Sequence, residues 1–279
     1  MRRQDPGLDR LPPRQRSPDL RAQPPRVNLH TAQGPATATP PGEPAPAGVR
    51  WGLLHPIPAK PKVVKGNFFL GTKATDRLPA LMMQATERGP VLSVATGTAV
   101  MAAFGRGPGR VVVADLSQRN LAGVQDLLQL AKDSPDQAAW LASVQQRYGT
   151  DVSRHFKLSI KRAGDHASFE RLKARVESGQ IDFFHVDLAD VNATRDMRAI
   201  AGEGFAAVYA SNIEQYVGGH LDNTGAPAQQ RQQRLDQYRT NLLGVMRPDG
   251  DLVRGSVMGR MTHHKGTAEV NAEWNPTAS

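Results

Sequence analysis

The chain of 279 residues contains no cysteine. That excludes a disulfide scaffold, a thiolate metal site, an iron–sulfur cluster and a cysteine nucleophile, and it fits a reducing compartment. Aromatic residues make up only 5% of the chain, and the first 50 residues contain no Phe, Tyr, Trp or Ile. A segment without aromatic side chains and with only scattered leucines and valines buries too little apolar surface to offset its ordering entropy. No run approaches the ~18 consecutive apolar residues of a membrane-spanning helix. No secretory leader is legible, because Arg2 and Arg3 are followed by Gln-Asp-Pro-Gly rather than by an apolar run. Asp5, Asp9 and Asp19 argue against an organellar transit peptide. The Gly-x-Gly-x-x-Gly pattern of dinucleotide folds and the Gly-Lys-Ser/Thr of a P-loop are both missing.

What is present divides into two compositions. Eleven of the 21 prolines fall in residues 1–50, with eight Arg, no Lys and four acidic groups. This segment reads as a disordered, partly polyproline arm. Residues 51–279 carry the other 27 basic and 22 acidic groups, and form one domain large enough for a substantial core. The +9 formal charge invites a nucleic-acid reading. Much of it belongs to the arm, however, and charge sign governs steering and non-specific attraction rather than specificity. Specific nucleic-acid binding is therefore not the favoured expectation.

Within the domain, Leu78, Leu81, Met82 and Ala85 share one face of a helix over 77–88, which Asp76 can cap and Gly89-Pro90 ends. Val91–Ala95 and Arg110–Asp115 are near-continuous apolar runs that predict buried strands, with a tight turn at Thr96-Gly97-Thr98 and a helix-compatible Ala99–Phe104 between them. Ser117 can cap the next helix. Ser134-Pro135-Asp136-Gln137 has the form of a capping box, with Pro at the first helical position. It opens a helical stretch, about 133–180, whose apolar residues include Trp140, Val144, Tyr148, Phe156, Ile160, Phe169 and Val176. Trp140 and Tyr148 are expected in its core. Strands follow at Ile181–Asp187, Phe205–Ser211 and Leu252–Met258. A long helix marked by Leu235, Tyr238, Leu242 and Met246 precedes the last. His263 and His264 read as part of a polar tail; adjacent histidines do not share a helix face, so no metal site is expected there. Apolar strands alternating with helices predict an α/β fold, a mostly parallel sheet doubly wound with helices on both faces.

In such a sheet the ligand lies beyond the carboxyl ends of the strands, where strand order reverses. Gly97 follows the first strand, and a residue without Cβ lets backbone approach a ligand. Asp115 ends the second strand and can accept two hydrogen bonds from a ribose diol, or can cap the following helix. Asp187 ends the third and can accept from an exocyclic amine, in competition with Asp190 as a surface acid. Together these suit an adenosine group.

In these features the chain resembles the class I S-adenosylmethionine-dependent methyltransferases, a Rossmann-like superfamily. Val91–Ala99 looks like the first glycine-rich motif, which implies cofactor contacts from Ser93, Ala95, Thr96 and Gly97. Val112–Ser117 looks like the second-strand motif, implying that Asp115 holds the ribose hydroxyls beside Leu116. Val186–Asp190 looks like the adenine-contacting segment, implying Asp187 and Leu188. Ala207–Asn212 looks like the fourth strand, with Ser211 near the cofactor, and Met246–Gly250 like the turn before the fifth. The resemblance spans about 70–258 and implies S-adenosylmethionine as cofactor. The chain departs from the family at Ser93, which stands where an acid is usual, and at Ala95 and Ala99, which replace outer glycines. The helical insertion is unusual, and only a short segment is left after the fifth strand for the usual final elements.

The resemblance implies transfer of a methyl group to an unidentified small molecule or other acceptor. Asn212, Glu214 and Tyr216, beyond the fourth strand, are candidate substrate-facing or catalytic residues, Glu214 as a general base. A narrower resemblance, carried by the insertion, Ser211-Asn212-Ile213 and Arg254-Gly255-Ser256, is to the branch that transfers an aminocarboxypropyl group from the same cofactor to a lipid headgroup. A third expectation is a catalytically inactive binding module or secreted effector, with the arm as a secretion tag; otherwise a cytoplasmic location is expected. Oligomeric state is not legible.

Overall fold

The computed structural model describes residues 78–94, 96–211, 213–214, 217, 227–255 and 261–274. The arm over 1–50 and the candidates Ala95, Asn212 and Tyr216 lie outside the described residues.

The elements run α1 (Leu78–Arg88), β1 (Val91–Val94), α2 (Gly97–Ala103), β2 (Val111–Asp115), α3 (Gln118–Asp133), α4 (Gln137–Tyr148), α5 (Thr150–Ala163), α6 (Phe169–Glu177), β3 (Ile181–His185), α7 (Arg195–Ala201), β4 (Phe205–Ser211), α8 (Ala228–Val245), β5 (Met246–Gly255), β6 (Met261–Lys265) and α9 (Gly266–Trp274). Six strands form one sheet in the order β3-β2-β1-β4-β5-β6. Every pairing is parallel except β5 with β6. Strand order therefore reverses between β1 and β4. With this strand order, the general right-handedness of parallel crossovers assigns α2 through α6 to one face of the sheet and α7 and α8 to the other.

Residues Val91–Val94 and Val111–Ala114 are all buried, as central strands covered on both faces require. β3, at the edge, alternates buried and partly exposed positions and ends at His185. Asp187 thus sits two residues past the strand rather than at its last position.

Three further departures from expectation have local causes. The helix after β1 starts at Gly97 itself, because Thr96 is its N-cap and its side chain accepts from the Thr98 amide at 3.2 Å. The cap of α4 is Asp136, whose carboxylate accepts from Ala139 N at 2.8 Å. Ser134 instead ends α3, donating to Leu130 O at 2.7 Å. Finally, His263 and His264 lie in β6, not in a polar tail. His263 Nε2 is 2.9 Å from Asp251 Oδ1, and His264 Nε2 is 2.7 Å from Glu273 Oε2. The segment after β5 therefore adds an antiparallel strand and a helix.

The insertion α4–α6 shares the core. Trp140 is fully buried, with ring centroids 5.2 Å from Phe104 and Phe156 and 6.0 Å from Phe169. Its indole donates to Leu127 O at 3.1 Å. Phe104 is the C-cap of α2, so this aromatic cluster fastens the insertion to the helix that follows β1. Tyr148 packs there too and donates to Asp126 Oδ2 at 2.5 Å. Burial, and then that bond, push its phenol above the ordinary range, which keeps it a donor. We expect Trp140→Phe, which removes the indole bond and part of the ring volume, to lower unfolding free energy by about 1–2 kcal/mol, read from the urea midpoint.

No helix among the described residues is long and apolar enough to cross a membrane.

Candidate functional site at the carboxyl ends of the strands

Register brings the candidate residues to one edge of the sheet. Val94 pairs with Ala114, Asp115 with His185, Ser93 with Tyr209, and Ser211 with Gly255. Asp115 therefore lies beside the end of β1, one step past the Val94–Ala114 pair, and the end of β4 flanks β1 on its other side.

The Asp115 carboxylate is held from below. Oδ1 accepts from Ser117 N at 2.7 Å and Oδ2 from Asn120 Nδ2 at 3.2 Å. Ser117, not Asp115, is the N-cap of α3. These bonds fix the side-chain rotamer. Leu116, next along, leaves the sheet with 58% of its surface exposed and places an apolar surface beside the carboxylate. His185 Nε2 lies 2.9 Å from the Leu116 carbonyl oxygen and holds that turn against β3.

Gly97 is buried at the start of α2. Ser93 is fully buried, and its hydroxyl donates to Val94 O at 2.9 Å, so its side chain is committed within its own strand. Leu188 is buried as well, packed into the core behind the turn that Asp187 opens. Only the backbone of Ser211 is described, as the last residue of β4.

Asp187 has partners on both oxygens. Oδ1 accepts from Ala189 N at 2.9 Å, and Oδ2 is ion-paired with Arg234 of α8. Arg234 was not legible as a partner, since the pairing spans 47 positions. Two turns on, Asn241 is buried and donates from Nδ2 to Leu188 O at 2.8 Å and Asp190 O at 2.6 Å. Helix α8 therefore pins the loop after β3. The Asp187 and Arg234 side chains keep 29% and 35% of their surface exposed, and such pairs contribute little to folding. Asp187→Ala should lower the melting temperature by no more than about 4 °C; a scanning-fluorimetry drop well beyond that would assign Asp187 to the framework.

Glu214, the base candidate, also has both oxygens engaged. Oε1 accepts from Arg254 at 2.7 Å, and Oε2 lies 3.6 Å from an Arg239 nitrogen. Arg254 ends β5, and Arg239 comes from the middle of α8. Arg254 also pairs with Glu273 of α9 and lies 3.3 Å from His264 Nε2. Burial works against its charge, but the bonds to Glu214 and Glu273 outweigh it and push its pKa above the ordinary arginine value. Both guanidinium carbons sit over the Trp274 ring, at 5.0 Å for Arg254 and 5.4 Å for Arg239. Tyr238 is fully buried beside this group; burial, then the charge of Glu214, raise its phenol pKa and keep it protonated. Among the described residues, Tyr238 Oη, Trp274 Nε1, Arg239 Nε and Arg254 Nε are buried with no hydrogen-bond partner. Of this cluster the sequence singles out Glu214 as a candidate base and Arg254 only within the Arg254-Gly255-Ser256 motif; a buried-donor signal has no sequence pattern.

No protein-family model matches this chain, and a search of curated proteins finds no significant match.

Proposed function

We propose that the chain is an S-adenosylmethionine-dependent transferase built on a Rossmann-like sheet, most simply a methyltransferase. The observation that carries this reading is the reversal of strand order between β1 and β4, with the oriented carboxylate of Asp115 at the adjacent end of β2. A crevice at such a reversal is where open parallel sheets take nucleotide-like ligands.

The residues present fit the cofactor on its ribose side. Asp115 has an orientation fixed from behind, as acceptance from a ribose diol requires, and a carboxylate offers about four acceptor directions. Leu116 supplies the exposed apolar surface beside it. Gly97 supplies backbone without Cβ after β1. On the adenine side the fit is conditional: Asp187 accepts from an exocyclic amine when its partner Arg234 yields or when its remaining acceptor directions suffice. Ser93, turned into its own strand, holds no cofactor group through its side chain.

When bound, the cofactor supplies a carbon already activated by its sulfonium. The protein's part is then to hold acceptor and cofactor in line and to exclude water. Glu214 has both oxygens turned toward guanidinium groups, so it is not assigned the role of base. The helical insertion after β2 also suits the aminocarboxypropyl-transferase reading. The two separate by product: S-adenosylhomocysteine after methyl transfer, methylthioadenosine after the other.

Thermal unfolding with millimolar S-adenosylmethionine tests the proposal. Saturation about 100-fold above Kd adds about 2.7 kcal/mol and a clear upward shift. No shift at millimolar ligand would leave a binding module without this cofactor.

A further inference from the structure

We propose that the carboxyl edge of β4 and β5 receives an oxyanion, a carboxylate or phosphate group of a small molecule, held between Arg254 and Arg239. Glu214 fills that place when the ligand is absent. This deepens the transferase reading and rests on it, since the oxyanion is then the handle by which the acceptor is held.

Donors outnumber acceptors at this edge. Tyr238 Oη, Trp274 Nε1, Arg239 Nε and Arg254 Nε are all N–H or O–H donors, all buried, and none has an acceptor among the described residues. Buried donors are normally satisfied, and each exception calls for an explanation. What this cluster lacks is acceptors only, and an oxyanion offers several lone pairs at once.

The second observation is convergence. Two guanidinium groups lie against one indole ring, within 5.0 and 5.4 Å of its centroid, although like charges repel. Glu214 bridges them, and unevenly: its contact to Arg254 is a hydrogen bond of 2.7 Å, while the one to Arg239 is 3.6 Å. A guanidinium fork matches a carboxylate or phosphate with two parallel bonds. Arg239 has no such pairing with Glu214. Arg254 is secured independently by Glu273, so it keeps its place when Glu214 leaves. Glu214 itself lies three residues past the end of β4. Helix α9 contributes Trp274 and Glu273, which gives the C-terminal strand and helix a role at this edge.

Isothermal titration of inorganic phosphate, and separately of acetate, into the full chain at constant ionic strength tests the proposal. We expect saturable binding of one equivalent, and the stronger of the two probes identifies the oxyanion class. Glu214→Gln removes the internal competitor's charge and should tighten binding by about tenfold. Arg239→Gln, at a quarter-exposed side chain, should weaken it by at least about tenfold, and Arg239→Lys should recover only part. A structural role for Glu214 predicts the opposite sign in its variant. The proposal is overturned if neither probe binds wild type or Glu214→Gln, or if Arg239→Gln leaves the affinity unchanged. S-adenosylmethionine is titrated in parallel. Cofactor binding without either oxyanion defeats this inference alone; oxyanion binding without the cofactor defeats the transferase reading alone.

Discussion

Replacing Asp115 with alanine should weaken S-adenosylmethionine binding by about a hundredfold or more. The figure follows from two hydrogen bonds to a charged acceptor, at about 1.5–3 kcal/mol each, with tenfold for every 1.4 kcal/mol. The substitution also deletes the acceptor of the Ser117 amide and of the Asn120 side chain, so part of any loss could come from a loosened turn. Asp115→Asn separates the two effects. Its carbonyl oxygen still accepts from Ser117 N, so the turn keeps its main tie, but one acceptor for the diol becomes a donor. We expect Asp115→Asn to melt within about 2–4 °C of wild type and still to bind at least tenfold more weakly by calorimetry. Unchanged affinity in both variants would remove the cofactor assignment, because no other acid lies at the end of β2.

The parts of this fold legible in the sequence are those that depend on neighbours within a few positions. Val91–Val94 and Val111–Ala114 read as buried strands because continuous apolar runs admit little else, and both are buried throughout. Asp115 read as a strand-end acid for the same reason. The insertion reads as helical from two sets at helical spacing, Val152, Phe156 and Ile160, then Phe169, Leu172 and Val176, and its apolar residues pack into the core. What escaped depends on distant partners. Met261–Lys265 has no apolar alternation, and it becomes a strand because Asp251 and Glu273 meet its histidines. The pairs Arg234–Asp187 and Arg254–Glu214 span 47 and 40 positions, beyond any periodicity. Ser134 and Asp136 are both good caps, and the choice fell to Asp136 because Ser134 was already bonded to the helix before it. The order of strands, on which the site rests, follows from crossovers that no local pattern encodes.

Arg175→Met should destabilise the fold by about 3 kcal/mol, with a melting temperature lower by roughly 10 °C. Arg175 is fully buried in α6 and has no carboxylate partner among the described residues; its guanidinium donates to the carbonyl oxygens of Ala103 at 2.7 Å, Gly105 at 2.5 Å and Gly107. Burial, with a smaller contribution from Arg171, lowers its pKa to about 10, which leaves it charged at neutral pH. The substitution relieves that desolvation but strands three carbonyls, at about 1–3 kcal/mol each, so the loss outweighs the relief. Those carbonyls belong to the end of α2 and to the Gly105–Gly109 segment, which lies against the last turn of α1. Gly109 N donates to Thr86 O at 3.0 Å, and a Cβ on Gly107 or Gly109 would overlap backbone atoms of Glu87 or Gly89. Arg175 thus ties the insertion to the loop that packs on the last turn of α1. Gly109→Ala should cost as much by pushing the loop off α1, and the double variant should cost less than the two costs added, because both break one contact. Arg175→Lys keeps the charge but not the fork, so it should recover less than half of the loss. Urea midpoints measure all four; an Arg175→Met midpoint at the wild-type value would mean that the segment holds its shape without the guanidinium.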